Sequence, residues 1–140
     1  MNVRGWGPGK MEDVCKELNE WKFDVVGLTE THLRNDVRNE GCDYVMIGKG
    51  RKKQEKMGGG VAFLLRKDAD LKVEELGVGE CSSSEDVLAI SVECVNGCGR
   101  TERLVMVVVS YMTVESVRAV RENKSKYDGI KKIIREHQLR

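Results

Sequence analysis

"DVVGLTETHL", residues 24–33, passes from core to surface within ten positions. Val25, Val26, Gly27 and Leu28 form an apolar run bounded by Asp24 and Glu30, so Asp24–Thr29 reads as a buried strand. A carboxylate and an imidazole, Glu30 and His32, then stand two residues apart where that strand ends. Taken alone, Glu30 is a solvated acid opening a loop, because charged side chains mostly lie outside. Placed at the end of a core strand, it is also a side chain delivered to a site. The flanking segments bear on which reading holds.

On the N-terminal side, residues 1–5 read as the tail of a strand, followed by a turn through Gly5, Gly7, Pro8 and Gly9. Met11, Val14, Cys15, Leu18 and Trp21 then recur at helical spacing with acids and lysines between them, the pattern of a helix laying one stripe on a sheet. On the C-terminal side, Arg34–Asp43 is a polar loop and Tyr44–Gly48 a strand. Lys49–Gly60, "KGRKKQEKMGGG", is a basic loop closed by three glycines, and Val61–Arg66, "VAFLLR", is another strand.

Leu71–Val78 and Val87–Val95 follow as strands. In the second, Leu88, Ile90, Val92 and Cys94 alternate with Ala89, Ser91 and Glu93, as in an antiparallel strand with one face buried. "NGCGR", Asn96–Arg100, is a hairpin turn, since Asn-Gly favours positive φ. The return strand "ERLVMVVVSY" is apolar almost throughout, which marks it for the centre of the sheet. A last helix starts near Val114, with Val117, Val120, Tyr127, Ile130 and Ile134 as its stripe. The expected architecture is an α/β (α+β) layer: a largely antiparallel sheet with two helices on one face.

Bulk properties narrow the class. The 140 residues fit a single domain, 1–140, long enough to bury roughly two-thirds of the unfolded surface. Lys plus Arg number 24 and Asp plus Glu 23, so overall charge selects no polyanionic partner. No run approaches the roughly 18 apolar residues that span a bilayer, and "MNVRGWGPGK" has no apolar signal region. An intracellular protein, nuclear or cytoplasmic, with no membrane partner is expected. The five cysteines are odd in number and irregularly spaced, as free thiols would be; Cys94 and Cys98 have no second pair at zinc-ligand spacing.

Four segments in this order, "MNVRGW", "DVVGLTETHL", "GGGVAFLLR" and a strand ending "VVSYM", resemble the first half of the endonuclease/exonuclease/phosphatase superfamily. The closest likeness is to the apurinic-type endonuclease domain of non-LTR (LINE-type) retrotransposons and to craniofacial-development-protein-2-like reading frames. The resemblance implies half of a four-layer sandwich and a Mg²⁺-dependent hydrolysis of DNA phosphodiesters. It makes Glu30 a ligand of the catalytic Mg²⁺, Asn2 a residue that helps hold metal and scissile phosphate, and Tyr111 a hydroxyl approaching that phosphate. His32 matches a histidine common in the retroelement branch and is assigned here beside the site, behind the ligands.

Each residue has a plainer reading: Asn2 capping a turn, Tyr111 an amphipathic core residue, His32 a loop residue. Lys49, Arg51, Lys52, Lys53 and Lys56 either track a DNA backbone or form a solvated loop. Departures from the family matter equally. Tyr111 is followed by Met112 and Thr113 where the family has a proline-containing segment, and the chain contains no Gly-Asp-x-Asn or Ser-Asp-His motif. The expectation is therefore a truncated, N-terminal endonuclease-like domain, inactive alone and binding Mg²⁺ weakly or not at all. The alternative is a domesticated, non-catalytic module that binds protein or nucleic acid. The sheet that the resemblance would supply from elsewhere leaves one face uncovered, so a homo-oligomer, most simply a dimer, is expected to cover it.

Overall fold

A computed structural model describes residues 1–41, 43–50, 59–76, 87–95, 97–109 and 117–138. In chain order the elements are α1 (Lys10–Asn19), β1 (Val25–Thr29), β2 (Val37–Glu40), β3 (Tyr44–Lys49), β4 (Val61–Arg66), β5 (Lys72–Leu76), β6 (Val87–Val95), β7 (Thr101–Val109) and α2 (Val117–Gln138). The fold is α+β with antiparallel sheets, as the sequence implies.

The strands form two sheets, one of four strands in the order β1-β4-β3-β2 and one of three in the order β5-β6-β7. Alternation along β4 explains why. Ala62 and Leu64 point to one side, where they join Leu28, Tyr44 and Met46 under Val14, Cys15 and Leu18 of α1. Val61, Phe63 and Leu65 point to the other, against Leu88, Ile90 and Val92 of β6 and Val108 of β7. "VAFLLR" is thus apolar on both faces because a helix covers one and a second sheet the other.

Three expectations are corrected. The helices do not share a face of one sheet: α1 packs on the first sheet, whereas α2 packs against β7 of the second. A second sheet is built by this chain itself and packs on the first, where a single sheet was expected. β7 is an edge strand, and the centre of its sheet is β6, whose residues Val87–Val92 are buried on both faces.

The helical stripes also shift. Trp21 lies beyond α1 and is exposed. Among the described side chains of α2, Lys126 and Ile133 are buried, Ile130 is half-buried and Tyr127 and Ile134 are exposed, while those of Val117 and Val120 lie outside the described residues. The long stem of Lys126 takes the place expected of an apolar residue, and Lys131 lies over the outward-facing Tyr127 ring. β2 falls within what reads as a polar loop; it is an edge strand that pairs with β3 while exposing Arg38, Asn39 and Glu40.

At one end of the first sheet Arg66 pairs with Asp24 and Asp68, and the buried Tyr44 hydroxyl donates to the Phe23 carbonyl at 2.9 Å. Burial pushes the Tyr44 phenol above its ordinary value of 10.0. The folded state then holds that proton more tightly than the unfolded state. Its contribution to stability is complete below pH ~10 and is lost as the pH rises further. Tyr44→Phe is expected to cost about 1 kcal/mol at neutral pH and to flatten this alkaline decline. Urea unfolding of both proteins across the alkaline range checks it.

Candidate functional site

The opposite pole gathers the sequence's chemistry. β1 ends there at Thr29, opposite Val61 at the start of β4, and β3 ends there at Lys49, opposite the same Val61. Val87, the start of β6, pairs with Val109, the end of β7. Lys49 Nζ donates to the Val87 carbonyl at 3.4 Å and so joins the two sheets at this pole. Gly27 brings β1 and β7 together: a Cβ added there would stand 3.4 Å from Val108 Cγ2.

Asn2 lies beside β1 in a parallel bridge to Thr29, with Thr29 N–H donating to the Met1 carbonyl at 2.8 Å and Val3 N–H to the Thr29 carbonyl at 3.0 Å. Its side-chain oxygen accepts from Arg4 N–H at 3.2 Å, a local turn at the edge of the site. The N-terminal segment and the Glu30 turn are therefore adjacent.

Glu30 is the first residue after β1. Its main-chain carbonyl accepts from Gly5 N–H at 2.7 Å, and its Oε2 accepts from Gly59 N–H at 3.2 Å. His32 Nε2 stands 3.4 Å from the same Oε2, an ion pair when the imidazole is protonated. Glu30 and His32 both have φ near +57°, the left-handed region that non-glycine residues enter rarely. Such strain costs on the order of 1–3 kcal/mol per residue and persists where surrounding contacts impose it. The imposing contacts are Thr31 N–H to the Gly60 carbonyl at 3.3 Å and His32 N–H to the Gly59 carbonyl at 2.8 Å.

Of the residues singled out from the sequence, Asn2, Glu30, His32 and Lys49 lie at this pole. Tyr111, Arg51, Lys52, Lys53 and Lys56 lie outside the described residues. Three participants escape the sequence reading: Gly5, where an added Cβ would stand 3.4 Å from His32 Nδ1, the fully buried Thr31, and the Gly59–Gly60 main chain. The run of three glycines was the available signal, since close backbone approach is what glycine permits.

The side chains at this pole include the Glu30 carboxylate with the His32 imidazole beside it, and the Asn2 amide one strand away. Oxygen ligands of this kind suit a hard cation such as Mg²⁺, which keeps several waters. Among the described residues no group of three or more His, Cys, Asp or Glu converges. Nor is any described helix long and apolar enough to cross a membrane. No family model matches the chain, and no curated protein or solved structure matches it.

Proposed function

We propose that this chain is the N-terminal portion of a retroelement-type, Mg²⁺-dependent DNA endonuclease domain, able to hold DNA beside a metal at Glu30 but not to cut it unaided. The observation that carries this reading is the pairing of Glu30 with His32 at the pole where β1, β3 and β7 end, the same end that holds Asn2 and Lys49. Glu30 would hold Mg²⁺, with the Asn2 amide oxygen beside it. Bound there, the ion supplies polarisation of a phosphoryl oxygen and charge stabilisation on the leaving group.

His32 sets the direction of the Glu30 carboxylate, as partners behind metal ligands commonly do. The Lys49 ammonium sits at the seam between the sheets, within the same rim, where a cation complements a phosphodiester backbone. In sequence Tyr111 follows Val108 by three positions, as Glu30 follows Gly27, and Val108 packs on Gly27. The resemblance, and not the described structure, makes Tyr111 a member of the site. The chain carries no Gly-Asp-x-Asn or Ser-Asp-His motif, the segments that in the resembled family orient and activate a nucleophilic water.

The test combines fluorescence anisotropy on a labelled DNA duplex with plasmid nicking in the same buffers. The chain is expected to bind the duplex more tightly in Mg²⁺ than in EDTA, with affinity falling steeply as salt rises, and to leave the plasmid intact. Glu30→Gln should remove the Mg²⁺ dependence. Nicking abolished by Glu30→Gln would instead identify a self-sufficient nuclease. DNA binding that ignores both Mg²⁺ and Glu30 would overturn the reading.

A further inference from the structure

The turn that carries Glu30 is gripped by the start of the β4 segment. Thr31, flanked by two polar residues, is completely buried, and its hydroxyl oxygen accepts from Leu33 N–H at 3.4 Å. Gly60 lies directly against it, at φ +85°; a Cβ there would stand 2.4 Å from Thr31 Oγ1, 3.1 Å from Leu33 N and 3.2 Å from His32 N. No ordinary packing distance accommodates an added methyl, and two of the three obstacles are backbone. The contact runs in both directions. Thr31 and His32 donate their N–H groups to the carbonyls of Gly60 and Gly59, and Gly59 returns its N–H to Glu30 Oε2.

From this we infer that Thr31 and Gly60 are positioning residues for the Glu30 carboxylate. The buried hydroxyl and the bare α-carbon let the two backbones close to hydrogen-bonding distance. That closure holds Glu30 and His32 in their left-handed conformations and aims Oε2 at the Gly59 amide. A Cβ at position 60, or loss of the hydroxyl at position 31, separates the backbones and frees the carboxylate to swing. The inference rests on the reading of Glu30 as a metal ligand. Groups behind a ligand typically change metal affinity by about 10–100-fold when altered.

The probe is Mn²⁺ alone, added to the full chain at a fixed pH above neutrality while the imidazole proton resonances are followed. The chain has two histidines, His32 and His137, so His137→Gln assigns the signals. Mn²⁺ is expected to broaden the His32 signal selectively, with a midpoint that Gly60→Ala and Thr31→Val each shift upward by about 10-fold or more. Thr31→Ser, which keeps the hydroxyl, should restore the original midpoint. Gly97→Ala, where an added Cβ meets nothing within 4 Å, should leave it unchanged.

Far-ultraviolet circular dichroism and the unfolding midpoint, recorded for each protein, separate a lost fold from a lost position. A merely structural role for these residues lowers the unfolding midpoint without moving the Mn²⁺ midpoint of the folded protein. Should Gly60→Ala not fold, Thr31→Val and its Ser counterpart decide the matter. If the Mn²⁺ midpoint stays within about twofold of the parent in every folded variant while Glu30→Gln abolishes broadening, the positioning role is overturned and the ligand reading stands. If Glu30→Gln changes nothing, the ligand reading fails and this inference fails with it.

Discussion

Phe63→Ala is expected to destabilise the chain by about 3–5 kcal/mol, the usual cost of emptying a buried aromatic site. Phe63 is 2% exposed and stands on β4, an interior strand of its sheet, facing Leu88, Ile90 and Val108 across the interface between the sheets. The ring also fills space beside Gly27, where an added Cβ would lie 3.7 Å from Phe63 Cε1. Neither sheet can collapse readily onto the gap, because the Gly27–Val108 contact already sets the closest approach of β1 and β7. Small domains have only about 5–15 kcal/mol of net stability, so this single truncation removes a large part of it. Urea unfolding provides the number. A loss under about 1 kcal/mol would mean that Phe63 does not lie between two packed sheets.

That interface is the part of the fold least legible in the sequence. β1, β3, β4 and β6 are all readable as strands, from apolar runs or alternation within a few residues of their true ends. What the pattern cannot tell is which partner covers each face. Val61–Leu65 reads the same whether its second face meets a helix, a sheet or another copy of the chain. β7 misleads for a related reason. Its apolarity suits packing on β1 and lying beside α2, yet Thr101–Leu104 is exposed and the strand has no neighbour beyond it among the described residues. β2 has no apolar signal because what it contributes is backbone pairing with β3.

The candidate site divides in the same way. Glu30 is legible as the first charge after a core run, and the strand does end at Thr29. His32 follows from its spacing. Thr31 does not, since a threonine between two polar residues carries no sign that it is fully buried. Its role comes from contact with Gly60, 29 residues further along the chain. The bond between Lys49 and Val87 is equally invisible, because it crosses from one sheet to the other.

Glu30→Gln is expected to abolish divalent-ion binding at this pole while leaving the fold intact. The amide keeps the size of the side chain and an oxygen that can accept from Gly59 N–H, but it removes the negative charge that a hard cation requires. Glu30 is partly exposed, and its pairing with the half-exposed His32 is of the kind that contributes little to stability. Unfolding midpoints of the two proteins should therefore nearly coincide. Binding of Mn²⁺, counted by the loss of the free-ion electron paramagnetic resonance signal, is the direct measurement. The account predicts weak, saturable binding to the parent chain that Mg²⁺ displaces and that Glu30→Gln removes. An unchanged isotherm in Glu30→Gln would contradict the assignment of a metal site to this pole.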